Sequence, residues 1–354
     1  MEDAFDQIYI KKTDLQCPIM IEFIDKFGNP EEGIDGGGLM KEFMTQLTQN
    51  MFDPQYGFFI ETADRALYPN KLSAITHPEY EHLFEFFGMI VGKALFEGTL
   101  LNANFSRIFL NKMVQKSNQV DDLKTLDSEL YENLLKIKYY DGDFEDLGLY
   151  MSVSEDHCGL QKQIELVKGG ANIPVTNENR LYYISSYSHY MMDQRTYTQT
   201  RQFVRGLNRV VPSDYFSYFF PDELQLLISG GVIDINIDDL MANTHIDTDR
   251  WKEPEMPYID QLWQMLKSFT QKEKEQFLVF CTGTNRPPLL GFKYLQPKFC
   301  IVKQETAGET RYPSASTCAN LLRLPFYGCN EQGYTKMRKT ILEAINSETG
   351  FYHA

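Results

Sequence analysis

The sequence predicts a bilobal α+β protein. A large, mainly helical N-terminal lobe, residues 1–231, carries an inserted small subdomain at about 127–183, and a smaller α/β C-terminal lobe occupies 232–354. Three observations predict this. Apolar residues recur at helical spacing before residue 120 and again after 180, whereas strand-like alternation is concentrated between 147 and 167. The pair Gly230 and Gly231 closes one set of elements, and the run Val232 to Ile237 opens another, which places an inter-domain hinge near 230–236. With 354 residues, 43% of them hydrophobic, and 25 Phe and 21 Tyr, the chain can bury more than one core.

In chain order, apolar runs at Ile19 to Ile24 and Phe58 to Ile60 predict short strands flanking a helix from about Leu39, with Leu39, Phe43, Leu47 and Met51 on one stripe. The glycines at 36–38 lack the Gly-Lys-Ser/Thr of a phosphate loop, so they read as a tight turn before that helix. Glu81 to Gly98 predicts a buried helix, and about Phe105 to Lys116 another. Within the subdomain, an Asp127-Ser128 start opens a helix through Leu130, Leu134 and Ile137, and Asp141-Gly142 makes a turn. Leu147 to Val153 and Gln163 to Val167 then pair as strands before Gly169-Gly170. Thr176 to Arg180 opens a long Tyr-rich helix towards Gly206, and Asp222 to Ser229 is a further helix. The last unit holds helices at about Ile259 to Phe269 and Lys272 to Thr282, a strand at Lys298 to Lys303, and a final helix, Tyr334 to Asn346.

Between that strand and the final helix lies Cys318. The small residues Ser314 to Thr317 precede it and the apolar anchors Leu321, Leu322 and Leu324 follow it, a polar turn pinned to a core. A reachable thiol with hydroxyl neighbours, and with Arg311 and Arg323 near in sequence, is the setting in which a thiolate is stabilised. A lone cysteine is also, and more often, a small buried apolar residue. Residue chemistry leaves both readings open.

The segment Pro313 to Pro325 resembles the active-site region of HECT-type ubiquitin ligases. Other stretches resemble further family signatures in family order: Gly33 to Gly38 before a helix, Gly169-Gly170 with Ile173 to Arg180, Leu227 to Gly230, and Thr282 to Gly291. Arg286 to Phe292 looks closest to the branch without WW domains. The resemblance spans essentially the whole chain and implies a bilobal HECT-like fold and a ubiquitin-protein transferase. In that family ubiquitin arrives as a thioester on a ubiquitin-conjugating enzyme, passes to the ligase cysteine, and is then attacked by a lysine of a protein substrate. Cys318 carries over as the nucleophile, Thr317 as a neighbour of the thioester carbonyl or a stabiliser of the turn, and Phe351, fourth from the end, as a residue of the transfer to lysine. Leu130, Leu134, Tyr140 and Tyr183 fall where the family presents a hydrophobic groove to the conjugating enzyme. By spacing alone, a leucine pair one helical turn apart reads as a buried stripe. Many members carry His-Thr-Cys-Phe-Asn where this chain has Ser316-Thr317-Cys318-Ala319-Asn320, so the nucleophile is kept while its flanking residues differ.

Composition bounds the alternatives. With 34 basic and 49 acidic side chains the formal charge is −15 and no long Lys/Arg cluster stands out, which argues against nucleic acid and anionic membranes and for a basic protein partner. No apolar run approaches a membrane span and Met1 to Asp6 is not a signal peptide, so a cytoplasmic or nuclear setting is expected. Six cysteines, Cys17, Cys158, Cys281, Cys300, Cys318 and Cys329, are scattered without C-x-x-C pairs, and the histidines form no ligand pattern, so neither metal nor cofactor is expected. Cys329, beside Gly328, is the second candidate thiol, and His353 is assigned no role. Two other classes compete: a cysteine hydrolase acting on ubiquitin conjugates, which needs a base at the thiol, and a non-catalytic module that docks a conjugating enzyme.

Overall fold

A computed structural model describes residues 1–24, 38–157, 159–230, 234–284, 286–288, 290–304 and 312–346. They divide into two compact units, one of Met1–Thr13, Asn50–Lys93 and Ala103–Gln225, the other of Asp14–Gln49, Ala94–Asn102 and Leu226–Ala354. The segments 14–49 and 94–102, assigned to the N-terminal lobe from sequence, therefore group with the C-terminal residues. Of the expected hinge, residues 231–233 lie outside the described residues, as do Gly33 to Gly37. Among the described residues no helix is long and apolar enough to cross a membrane, and no cluster of His, Cys, Asp and Glu could hold a metal ion.

After a short helical stretch at Glu2–Ala4 and Phe5–Ile10, the helix α1 (Gly38–Phe52) follows the glycine run, and β1 (Phe59–Glu61) and β2 (Leu67–Pro69) form an antiparallel pair. Residues 19–23 are irregular rather than a strand. Met20 and Ile24 stand exposed there, and apolar composition without a buried face does not set a strand.

The first unit is built on α2 (Tyr80–Glu97), which buries Phe84, Phe86, Phe87, Ile90 and Val91. With α3 (Arg107–Met113) it supplies an aromatic core in which Phe59 meets Phe84, Phe105 and Phe203, and Phe109 lies 4.9 Å from Phe203. Each such edge or tilted pair adds about 1 kcal/mol beyond burial. Glu85, on the same helix, is buried but paired, with Arg209 at 2.8 Å, Arg205 at 3.3 Å and the Tyr9 hydroxyl donating at 2.9 Å.

The subdomain is a helix, a hairpin and a returning helix. Asp127 caps α4 (Ser128–Lys138) by accepting from the Leu130 N–H at 2.9 Å. The strands β3 (Ser152–His157) and β4 (Leu160–Glu165) pair antiparallel over their whole length. The first begins later than the expected Leu147, because Asp143 caps a short 3₁₀ turn at Phe144–Leu147 and Gly148, at φ +55°, ends it. Gly170 sits where a Cβ would meet the Met151 carbonyl at 2.1 Å, so only glycine allows that approach. The expected long helix is two: α5 (Arg180–His189) continues as a π-helical turn, Tyr190–Gln194, and α6 (Tyr197–Val210) follows.

Glu155 in β3 ties the hairpin to the body of its unit. Lys71 reaches it at 3.0 Å, the Tyr190 hydroxyl at 2.8 Å and Arg195 at 2.5 Å. Burial raises its carboxyl, but Lys71, Tyr190 and Arg195 outweigh that and hold it below the ordinary carboxylate range.

In the second unit α7 (Pro221–Ser229) supplies its last turn, and α8 (Ile237–Ala242) is capped by Asn236, which accepts from the N–H groups of Asp238 and Asp239. The helices α9 (Met256–Lys267) and α10 (Gln271–Thr282) follow β5 (His245–Ile246), and the Thr270/Glu273 capping box starts the second of them. The sheet runs β5, β6 (Cys300–Lys303), β8 (Leu321–Leu324), β7 (Ser314–Ser316), parallel except for the β7–β8 hairpin. A last helix, α11 (Glu331–Asn346), packs against α9 and α10, and Leu262, Leu266, Ile301, Leu322, Met337 and Ile341 form the centre of the core.

Candidate functional site

The Cys318 segment is the bend of the β7–β8 hairpin. Ser316 pairs with Leu321, so Thr317 to Asn320 is the loop, its first three residues a 3₁₀ turn. In β8, alternation sends Leu322 and Leu324 into the core at 0% and 1% exposure, which fixes the register and so the place of the bend. The backbone of Cys318 is the middle of the turn; its side chain, like Arg311, Phe351 and His353, lies outside what the structure describes.

Asn320 ends the turn at φ +47°, a left-handed conformation that asparagine tolerates better than most residues. Its side chain is fully buried and used at both ends: Oδ1 accepts from Lys41 Nζ at 2.6 Å, and Nδ2 donates to the Pro297 carbonyl at 2.5 Å. Its own carbonyl accepts from the Cys300 N–H at 3.0 Å. The bend is thus bound to α1, to the segment before β6 and to β6 itself. Thr317 is half-buried against the end of α10. A Cβ on Gly283, which closes that helix at φ +73°, would lie 3.6 Å from the Thr317 Cβ and 3.9 Å from the Thr45 hydroxyl of α1. The sequence alone points to neither Asn320 nor Lys41 as a site residue. The signal it carries is an asparagine closing a turn of small residues.

Of the other thiols, Cys281 is buried and its pKa raised by that burial, which makes it inert. Cys300 is half-buried and also shifted upward, first by burial and then by Asp247. Cys329 is exposed and its sulfur lies 3.9 Å from the Pro254 carbonyl. Among the described residues the paired histidine and carboxylate are His189 and Asp193, which belong to the first unit.

The four residues expected at a docking groove share the subdomain but divide by exposure. Leu134 and Tyr183 are buried, at 1% and 4%, and burial pushes the Tyr183 hydroxyl up to about 12. Leu130 and Tyr140 are half-buried. Tyr140 lies edge-on to Phe144 at 5.4 Å, and its carbonyl accepts from Arg180 at 2.6 Å. The helices α4 and α5 pack together, which puts Leu134 and Tyr183 in the layer beneath. Among the described residues of this subdomain, the exposed large apolar side chains are Tyr139, Tyr150, Ile173, Leu181 and Tyr182. Two of them are sequence neighbours of expected residues, which helical rotation turns outward while it turns Tyr183 in.

The profile of the HECT-domain (ubiquitin-transferase) family matches residues 45–354. The E3 ubiquitin-protein ligase UPL6 of Arabidopsis thaliana is 40% identical over 358 residues, covering 99% of this chain and 34% of that protein. Ubiquitin-protein ligase E3B of Homo sapiens is 36% identical, over 99% of this chain and 35% of its own length, and E3 ubiquitin-protein ligase HUL5 of Saccharomyces cerevisiae 36% identical, over 99% and 38%. The chain therefore spans about a third of the length of the curated relatives it matches.

Proposed function

Since the chain belongs to the HECT-domain family, we propose that it is a ubiquitin-protein transferase that accepts ubiquitin as a thioester on Cys318 and passes it to a substrate lysine. The observation that carries the reading is the family match from residue 45 to the C-terminus together with a Cys318 bend clamped on several sides through Asn320. The Cys318 thiolate adds to the thioester carbonyl of the ubiquitin carried by a conjugating enzyme, and the carrier's thiolate leaves. A substrate amine then adds to the new thioester, the Cys318 thiolate leaves, and the amine's proton passes to solvent. Exchange between thioesters is nearly neutral in energy, so placement of the thiol counts for more than acid–base assistance. Thr317 supports the turn, and Phe351 acts in the second transfer.

The partners we propose are a conjugating enzyme, ubiquitin and a protein substrate, in the cytoplasm or nucleus, and the working lobes we propose are 1–231 and 232–354, a division that differs from the compact units in the placement of 14–49 and 94–102. The conjugating enzyme docks on the subdomain, with Leu130 and Tyr140 at the surface and Leu134 and Tyr183 as the layer that supports them. Exposed aromatic side chains suit such a contact. No observation favours a hydrolase or an idle docking module over this reading.

The test is charging with activating enzyme, conjugating enzyme and ubiquitin on a non-reducing gel. A thiol-sensitive adduct is expected from the native chain and none from Cys318→Ala. An adduct retained by Cys318→Ala, or one mapped by mass spectrometry to Cys329, would overturn the assignment.

A further inference from the structure

Lys41 stands at the end of the first turn of α1, which itself holds no acidic residue and where the helix dipole disfavours a cation. An ammonium in that position is stabilised by a directed acceptor, and the structure supplies one: Oδ1 of Asn320, fully buried, at 2.6 Å. Thr45, one helical turn on, lies by Gly283, which in turn abuts Thr317. One face of α1 therefore holds the Asn320 end of the bend directly, through Lys41, and reaches the Thr317 end only by way of Gly283.

We propose that Lys41 is a positioning residue for the nucleophile, acting through Asn320 to hold the hairpin bend in the conformation that presents Cys318. This rests on the reading of Cys318 given above. Without the ammonium, Oδ1 of a buried amide loses a charged donor and the left-handed Asn320, intrinsically strained, is free to relax. The thiol stays on the chain, but its loop samples other conformations.

Single-turnover charging by a conjugating-enzyme thioester separates positioning from folding and docking. For Lys41→Met the maximal charging rate is expected to fall about tenfold, the worth of one charged hydrogen bond. The half-saturating carrier concentration and the final adduct amplitude should stay at their native values. Lys41→Arg, which keeps a charged donor, should restore most of the rate. A purely structural role would instead lower the amplitude, and the same rate in Lys41→Met as in the native chain would overturn the proposal while leaving the Cys318 assignment standing.

A second measurement needs no ubiquitin. The rate of Cys318 alkylation by iodoacetamide, referred to Cys329 in the same chain by mass spectrometry, should change in Lys41→Met and return in Lys41→Arg. An unchanged ratio overturns the proposal, even if the native chain forms no adduct and the transferase reading itself fails.

Discussion

Asn320 Oδ1 accepts a hydrogen bond from Lys41 Nζ, a contact between residues 279 positions apart that ties a helix near the start of the chain to the Cys318 bend. The other end of the same side chain donates to the Pro297 carbonyl. Asn320→Asp would keep the first contact, strengthen its charge, and set a carboxylate oxygen against the second. The expected result is a loss of about 2 kcal/mol in stability, the cost of leaving a buried acceptor facing another acceptor. Urea denaturation of the two proteins checks it, and equal midpoints would show that the stronger Lys41 contact offsets the lost Pro297 contact.

The subdomain separates stability from docking. Leu134→Ala, at a buried position, should cost about 3 kcal/mol, whereas Leu130→Ala, half-buried, should cost about 1 kcal/mol. Leu130→Asp should therefore weaken binding of the conjugating enzyme tenfold or more at nearly native melting temperature. Calorimetric titration alongside thermal melting distinguishes the two effects. Native affinity in a folded Leu130→Asp chain would move the docking surface elsewhere, with Tyr139, Leu181 and Tyr182 the next to mutate.

Glu155 gives the fold an acid-sensitive joint. Its folded-state pKa is lowered, so its contribution is complete above the unfolded carboxylate value of about 4.3 and is lost as pH falls through the lowered folded value. Glu155→Gln, which leaves Lys71 and Arg195 facing a neutral amide, should destabilise by about 3 kcal/mol at pH 7. Denaturation at stepped pH should show the gap between variant and native protein narrowing below pH 4. A gap independent of pH would assign the effect to packing rather than charge.

The crossing of α2 and α6 depends on glycine. A Cβ on Gly206 would lie 1.8 Å from the Glu85 carbonyl, and one on Gly88 1.9 Å from the Phe203 carbonyl, so either alanine must push the facing backbones apart. Gly206→Ala should cost about 3 kcal/mol or more by overpacking. Gly98→Ala, at φ +68° with open space around it, should cost about 1 kcal/mol. Thermal melting of the pair checks the ranking, and similar losses would mean that the helices separate easily.

What the sequence by itself determined is the local and the periodic. The 3.6-residue stripes of α2, α9, α10 and α11 lie within a few residues of the spans their spacing predicts, because amphipathic spacing is a property of a short window, as is the Asp127-Ser128 start of α4. The polar bend around Cys318, with Leu322 and Leu324 as its anchors, is legible for the same reason. The tertiary structure alone decided which outward-looking residues are outward. Tyr183 lies inside and Tyr182 outside, one position apart on a Tyr-rich helix whose phase depends on the helix it packs against. It also decided that residues 14–49 group with the C-terminal segment, and that a lysine on α1 holds the asparagine of the bend. Contacts between residues hundreds of positions apart leave no periodicity in a local window, because burial and hydrogen-bond partners are set by which surfaces meet once the chain has folded.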